Sequence, residues 1–207
     1  MPRQARAVAT REAILLAAAS VFARAGYPSA TLADVIAEAG VTQGSLYFHF
    51  ESKHALAVAV IGAQHERSIS LPADAGGVRA MVLLAGALAR QIRADPVVQA
   101  GLRLTTESAD LFPDHAGRPF GDWAELCALL VRQGIDAGDL RPDLDAAAAG
   151  RFLRSAFTGT QVASQASTGW DDLLERTEET LGLALGALAV PERRDEVVAL
   201  AALVREG

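Results

Sequence analysis

The chain has 207 residues, 51% of them hydrophobic, 21% charged and 5% aromatic. That composition excludes a disordered polyelectrolyte, and its abundant alanine with few β-branched runs favours packed helices over sheets. The net charge of −6 is uneven, with +1 over residues 1–54 and −7 beyond, the asymmetry of a chain whose N-terminal part meets a polyanion. Cys127 is the only cysteine, which rules out an intramolecular disulfide or a CxxC metal or redox motif and points to a reducing cytoplasm. The apolar run 13–23 behind Arg3, Arg6 and Arg11 imitates a secretion leader. Glu12 abuts the run and Arg24 occupies the would-be cleavage site, so that reading is rejected; no other stretch is long and uncharged enough to span a bilayer.

In chain order, residues 1–9 read as a basic, irregular arm. Thr10 is placed to N-cap a helix to about Ala25, with Gly26 as its stop and Ile14, Ala18 and Phe22 on one face. Thr31 and Asp34 form a variant capping box that opens a short helix ending at Gly40. Thr42 caps a second short helix to about Phe48, and Ser52 starts a longer one with Leu56, Val60 and Ile61 apolar. Further helices are predicted over 78–94, 96–109, 120–137, 144–165, 170–188 and 193–205. They are punctuated by Pro72, Gly76, Gly77, Pro113, Gly117, Pro119, Pro142, Gly169 and Pro191. The fold class is all-α: a three-helix head over residues 1–53, followed by a larger helical body over 54–207.

Two short helices hinged at Gly40, with Val41 pointing inward, form a helix-turn-helix, whose second helix enters the major groove of double-stranded DNA. The residue types fit that place. Gln43 can contact a base edge through two hydrogen bonds, Thr42 and Ser45 are short donors, and Gly44 lets the backbone approach closely. Tyr47 and His49 reach phosphate oxygens, and Lys53 lies in a first helical turn whose free N–H groups also attract phosphate. Arg3 and Arg6 are candidates for the minor groove or the DNA backbone. Leu46, Phe48 and Phe50 are read as core.

The segment LADVIAEAGVTQGSLYFHFESKHAL, flanked by helices and carrying a G-[ST]-LY-x-HF-x-SK core, resembles the N-terminal domain of the TetR family of repressors. GYPSATLADVIAEAGVT, YFHFESKHALAVAVI, DPVVQAGLRL and Trp123 after a Pro-Phe step are similar to the γ-butyrolactone-receptor branch, although that branch often has Lys where this chain has Gln43. The resemblance implies a homodimer on a palindromic operator, joined through the late helices and released by a small γ-butyrolactone or butenolide-like inducer. It also implies a pocket tryptophan at Trp123, with Gln64 and Thr160 as polar groups toward a lactone or enone oxygen. Leu84, Leu88, Leu104, Phe120, Leu126 and Val162 are the candidate apolar lining. A TetR-type regulator of another small molecule, such as a drug or metabolite in efflux control, is the alternative. No HExxH, GxSxG, P-loop or GxGxxG pattern is present, so no enzyme, metal or cofactor is expected. Cys127, among Leu126, Leu129 and Leu130, reads as a buried structural thiol.

Overall fold

Local capping chemistry sets the first helices. In the computed structural model, which describes residues 3–68 and 76–206, α2 spans Leu32–Ala39. The Thr31 hydroxyl accepts from the Asp34 amide at 3.1 Å while the Asp34 carboxylate accepts from the Thr31 amide at 3.0 Å. The Thr31 hydroxyl, donating to the Asp34 carboxylate at 2.6 Å, and then the Thr31 amide hold that carboxyl below its ordinary range. Gly40 ends α2 in the left-handed region at φ 63°, where a side chain would be strained. The short helix α3 (Gln43–His49) is capped by Thr42, whose hydroxyl accepts from the Ser45 amide at 3.2 Å. The Ser52 hydroxyl does the same for Ala55 at 3.0 Å ahead of α4 (Lys53–Ser68).

The first helix departs from expectation. It begins at Arg3, so there is no irregular arm up to residue 9, and α1 spans Arg3–Ser29. Thr10 is not a cap; its hydroxyl donates to the Arg6 carbonyl at 2.9 Å inside the helix. The stretch RQARAVA is built of good helix formers with no glycine or proline, so the helix propagates back past the cap signal. Gly26 does interrupt it, at φ 72° and ψ 163°, as its position predicted.

The later helices are α5 (Gly77–Ala94), α6 (Pro96–Glu107), α7 (Pro113–Asp136), α8 (Ala146–Thr168), α9 (Leu173–Leu188) and α10 (Arg194–Ala199). From Leu200 to Arg205 the chain tightens into a 3₁₀ helix, where a continuous α-helix was expected. α7 starts well before residue 120. Pro113 takes the first helical position, where a missing N–H costs nothing, and Pro119 is absorbed inside the helix instead of breaking it. Pro72, another expected break, lies outside the described residues. Among the described residues there are ten α-helices and no strand, only an isolated bridge between Leu140 and Ala189, so the all-α class holds.

The chain packs as two compact units, residues 3–68 with 95–119, and 76–94 with 120–206. In the first unit, Ile14, Phe22, Val35, Leu46, Leu56 and Val60 share one core with Val97, Ala100, Leu104 and Phe112. Thus α6, which follows the helix-turn-helix by more than half the head's length, supplies part of that core. Gly101 lets α6 meet α4 closely: a Cβ there would lie 2.4 Å from the Gln64 Cβ. Arg103 donates to the Ala23 carbonyl at 2.6 Å and pairs with Glu107, tying α6 to the end of α1 ahead of the Gly26 break. Arg67 bridges Asp95 and Glu12, each at 3.2 Å.

The second unit has its own core, including Val78, Val82, Leu130, Val131, Leu140, Leu185 and Val204. Close backbone contact recurs at Gly150, where a Cβ would lie 2.6 Å from the Ala128 amide nitrogen. The α8–α9 turn is held by Asp172, whose carboxylate accepts from Ser164 at 2.6 Å, Thr168 at 2.8 Å and Arg176 at 2.6 Å.

Gly101→Ala is expected to destabilise the protein by about 1–3 kcal/mol through overpacking at the α4–α6 crossing. Gly117→Ala, where nothing lies within 4 Å of the added methyl, serves as the control and should not destabilise. Thermal melting of both variants checks this; equal melting temperatures would remove the close crossing from the account.

Candidate nucleic-acid interface and ligand site

α3 presents a polar edge. Thr42, Gln43 and Gly44 are exposed and Ser45 is half-buried, while Leu46 and Phe50 are fully buried. Nothing lies within 4 Å of where a Gly44 Cβ would sit, so the backbone there is open to a flat or grooved partner. Tyr47 is 47% exposed and His49 half-buried. Phe48, read as core from its sequence, is 80% exposed and meets the His49 ring edge-on, with centroids 5.0 Å apart. The reason is angular: positions 46 and 50 share one helix face, and position 48 lies about 200° round from either.

The basic side chains expected to accompany this edge differ in their placement. Arg6 is exposed on α1, and Arg3 opens the same helix with its side chain outside the described residues. Lys53 is half-buried: its ammonium lies 4.4 Å from the Tyr27 ring centroid and 3.4 Å from the Pro28 carbonyl. Burial there lowers the Lys53 pKa. Arg11, which sequence reasoning passed over, stacks on Phe50 at 4.9 Å to the centroid and so adds a second cation beside α3. Its only signal in the sequence was its basic character next to Arg3 and Arg6.

The residues expected at a ligand pocket divide between the two units. Gln64 and Leu104 are buried in the first, where Gly101 presses on the Gln64 stem and Leu104 belongs to the head core. In the second, Leu84 and Leu88 are buried one turn apart on α5, and Phe120, Trp123 and Leu126 are half-buried on α7. Trp123 and Leu126 pack on that unit's core. The Thr160 hydroxyl donates to the Ala156 carbonyl at 2.9 Å and meets the Thr180 hydroxyl at 2.8 Å. Val162 does not line an interior; it is 43% exposed, one residue round α8 from the inward Gln161. Cys127 is half-buried, not sealed in the core. A crevice between α8 and α9, lined by Leu153, Phe157, Thr177 and Leu181, is apolar and no larger than about one water, too small for an inducer. Among the described residues no group of three or more His, Cys, Asp or Glu could hold a metal ion, and no helix is long and apolar enough to cross a membrane.

Residues 14–60 match the family model described as bacterial regulatory proteins of the tetR family, and residues 76–189 match the tetracyclin repressor-like C-terminal domain. The chain belongs to the TetR family. It is therefore a DNA-binding transcriptional regulator, with α2 and α3 as its helix-turn-helix. It is 34% identical over 191 residues to the A-factor receptor protein of Streptomyces griseus, covering 92% of this chain and 68% of that one. Two solved TetR-type structures have the same fold. A γ-butyrolactone receptor described as ArpA-like matches with a TM-score of 0.81 at 32% identity, over 96% of this chain and 98% of that one. CprB from Streptomyces coelicolor, solved with its operator sequence, matches with a TM-score of 0.80 at 32% identity, over 97% and 98%.

The α3 geometry separates two neighbouring hydrophobic positions. Leu46→Ala should cost about 2–5 kcal/mol of stability. Phe48→Ala should change it by about 0.5 kcal/mol or less, as an exposed substitution does. Chemical denaturation distinguishes them, and equal losses would place Phe48 back in the core.

Proposed function

We propose that this regulator is a homodimeric repressor released from a palindromic operator by a γ-butyrolactone- or butenolide-like signalling molecule. One observation carries the reading: the similarity to the A-factor receptor runs past the helix-turn-helix to cover 92% of the chain, including the segment that would sense a ligand. In this reading α3 lies in the major groove, which is about 12 Å wide. Gln43 reads a base edge, Thr42 and Ser45 contact base or phosphate, and Gly44 allows close approach. Tyr47, His49 and Lys53 bind phosphate, and Arg3 and Arg6 lie against the minor groove or backbone.

Dimerisation through α8 and α9 fits their exposed apolar side chains, Phe152 and Val162 on α8 and Leu183, 80% exposed, on α9. A symmetric dimer places two recognition helices about 34–36 Å apart, one turn of duplex. The ligand acts by binding better to a conformer in which that spacing is wrong, and a coupling of about 2–3 kcal/mol relieves repression by tens to about a hundredfold. Trp123, half-buried beside an apolar core, suits the ring or acyl chain of a lactone; Phe120, Leu126, Leu84, Leu88 and Thr160 are the further candidates.

The test is a gel shift on the gene's own upstream region with a panel of butyrolactones and butenolides. The protein should shift the DNA and a panel member should release it. Trp123→Ala should still shift the DNA yet need at least about tenfold more ligand, as loss of a buried aromatic anchor of about 2 kcal/mol implies. A folded Trp123→Ala protein that responds like wild type would argue for a different inducer and pocket.

A further inference from the structure

Lys53 is the only lysine of the chain. Its ammonium is seated against the head, 4.4 Å from the Tyr27 ring centroid and 3.4 Å from the Pro28 carbonyl oxygen. Gly26 makes that seat. At φ 72° and ψ 163° it breaks α1 and turns the chain, so that Tyr27 and Pro28 come beside the start of α4. The Pro28 carbonyl is one of the last in α1, which lack an amide partner within the helix, and a cation suits that end of a helix.

The Tyr27 ring is itself fixed from several elements. Phe22 of α1 packs on it at 5.8 Å between centroids, and Phe112 meets it edge-on at 5.1 Å. Phe112 is fully buried at the corner between α6 and α7. The His54 ring stacks on Phe112 at 5.1 Å, while the His54 Nε2 lies 3.2 Å from the Leu111 carbonyl oxygen. A lysine ammonium carries three N–H donors. The ring face and the Pro28 carbonyl engage two of them, and Lys53 is half-buried, not sealed, so the third remains for a partner from solution.

We propose that Tyr27 is a positioning residue for DNA binding: its ring and the Pro28 carbonyl hold the Lys53 ammonium at the start of α4, where the remaining donor meets a DNA phosphate. The proposal rests on the reading of Lys53 as a phosphate contact and adds what makes that contact effective. A lysine on the open surface gives up rotamer freedom when it meets a phosphate; one already seated on a ring has given it up in folding. A ring face attracts the cation without cancelling its charge, so the phosphate still meets a full positive charge.

The test measures binding of the full chain to a labelled duplex from the gene's own upstream region, and to a scrambled duplex of the same length, over a salt series. Lys53→Ala should weaken both and lower the slope of log K against log salt by about one unit. Tyr27→Leu should weaken both by about two- to fivefold, the range of a cation–π contact. Tyr27→Phe, which keeps the ring face, should bind as wild type does. With Lys53 already replaced by alanine, Tyr27→Leu should cost nothing more. An equal loss in both backgrounds makes Tyr27 a packing residue alone and overturns the proposal. A lowered slope for Lys53→Ala beside an ineffective Tyr27→Leu also overturns it and leaves Lys53 as a phosphate contact. An unchanged slope for Lys53→Ala overturns that reading and the proposal with it. If Tyr27→Leu melts early, wild type decides the matter through its single lysine. With lysine alone isotope-labelled, the ε-methylene NMR signal should lie upfield of free lysine, shifted by the Tyr27 ring, and should stay there on the duplex. A signal at the free-lysine position, or one that returns there when DNA binds, overturns the proposal.

Discussion

The crossing of α4 and α6 at Gly101 is the contact on which the reading head depends. Only a residue without a side chain fits against the Gln64 stem there. Around that point Val97, Ala100 and Leu104 of α6 complete a core that the helix-turn-helix could not close alone. The same helix reaches α1 through Arg103 and the Ala23 carbonyl, and α1 in turn packs on α2. α3 packs on α1 and α2, so a helix that arrives late in the sequence bears on it through α1.

This arrangement has a consequence for regulation. The chain passes between its two units at residues 68/69, 94/95 and 119/120. The segment holding α6 is therefore joined at both ends to the second unit: Asp95 follows directly on α5, and α7 contributes residues to both units. A ligand that changes α5 or α7 acts on the ends of α6 through the covalent chain. In the proposed mechanism that gives the inducer a route to α4 and α3, and the close packing at Gly101 transmits small displacements because it leaves no slack.

What was legible in the sequence was chiefly local. Thr31 with Asp34, Gly40, Thr42 and Ser52 each act through hydrogen bonds or dihedrals within four residues, and each sits where its chemistry requires. Thr10 misled because a cap signal competes with the propensity of the residues before it, and the propensity prevailed. Phe48 and Val162 misled because apolar identity was weighed above angular position; the four-residue spacing of Leu46 and Phe50 already excluded position 48 from the inward face. The membership of α6 in the head is a relation between distant segments, which no local pattern reports.

DNase footprinting of the gene's upstream region, with wild type and Gln43→Ala, tests the operator reading most directly. Two symmetric protected segments, with major grooves about one helical turn apart or a multiple of it, are predicted. Gln43→Ala should relax discrimination at the corresponding base pair of each half-site by about 1–3 kcal/mol while leaving other positions alone. A single asymmetric footprint, or a Gln43→Ala effect equal on every sequence, would contradict α3 as the element that reads bases.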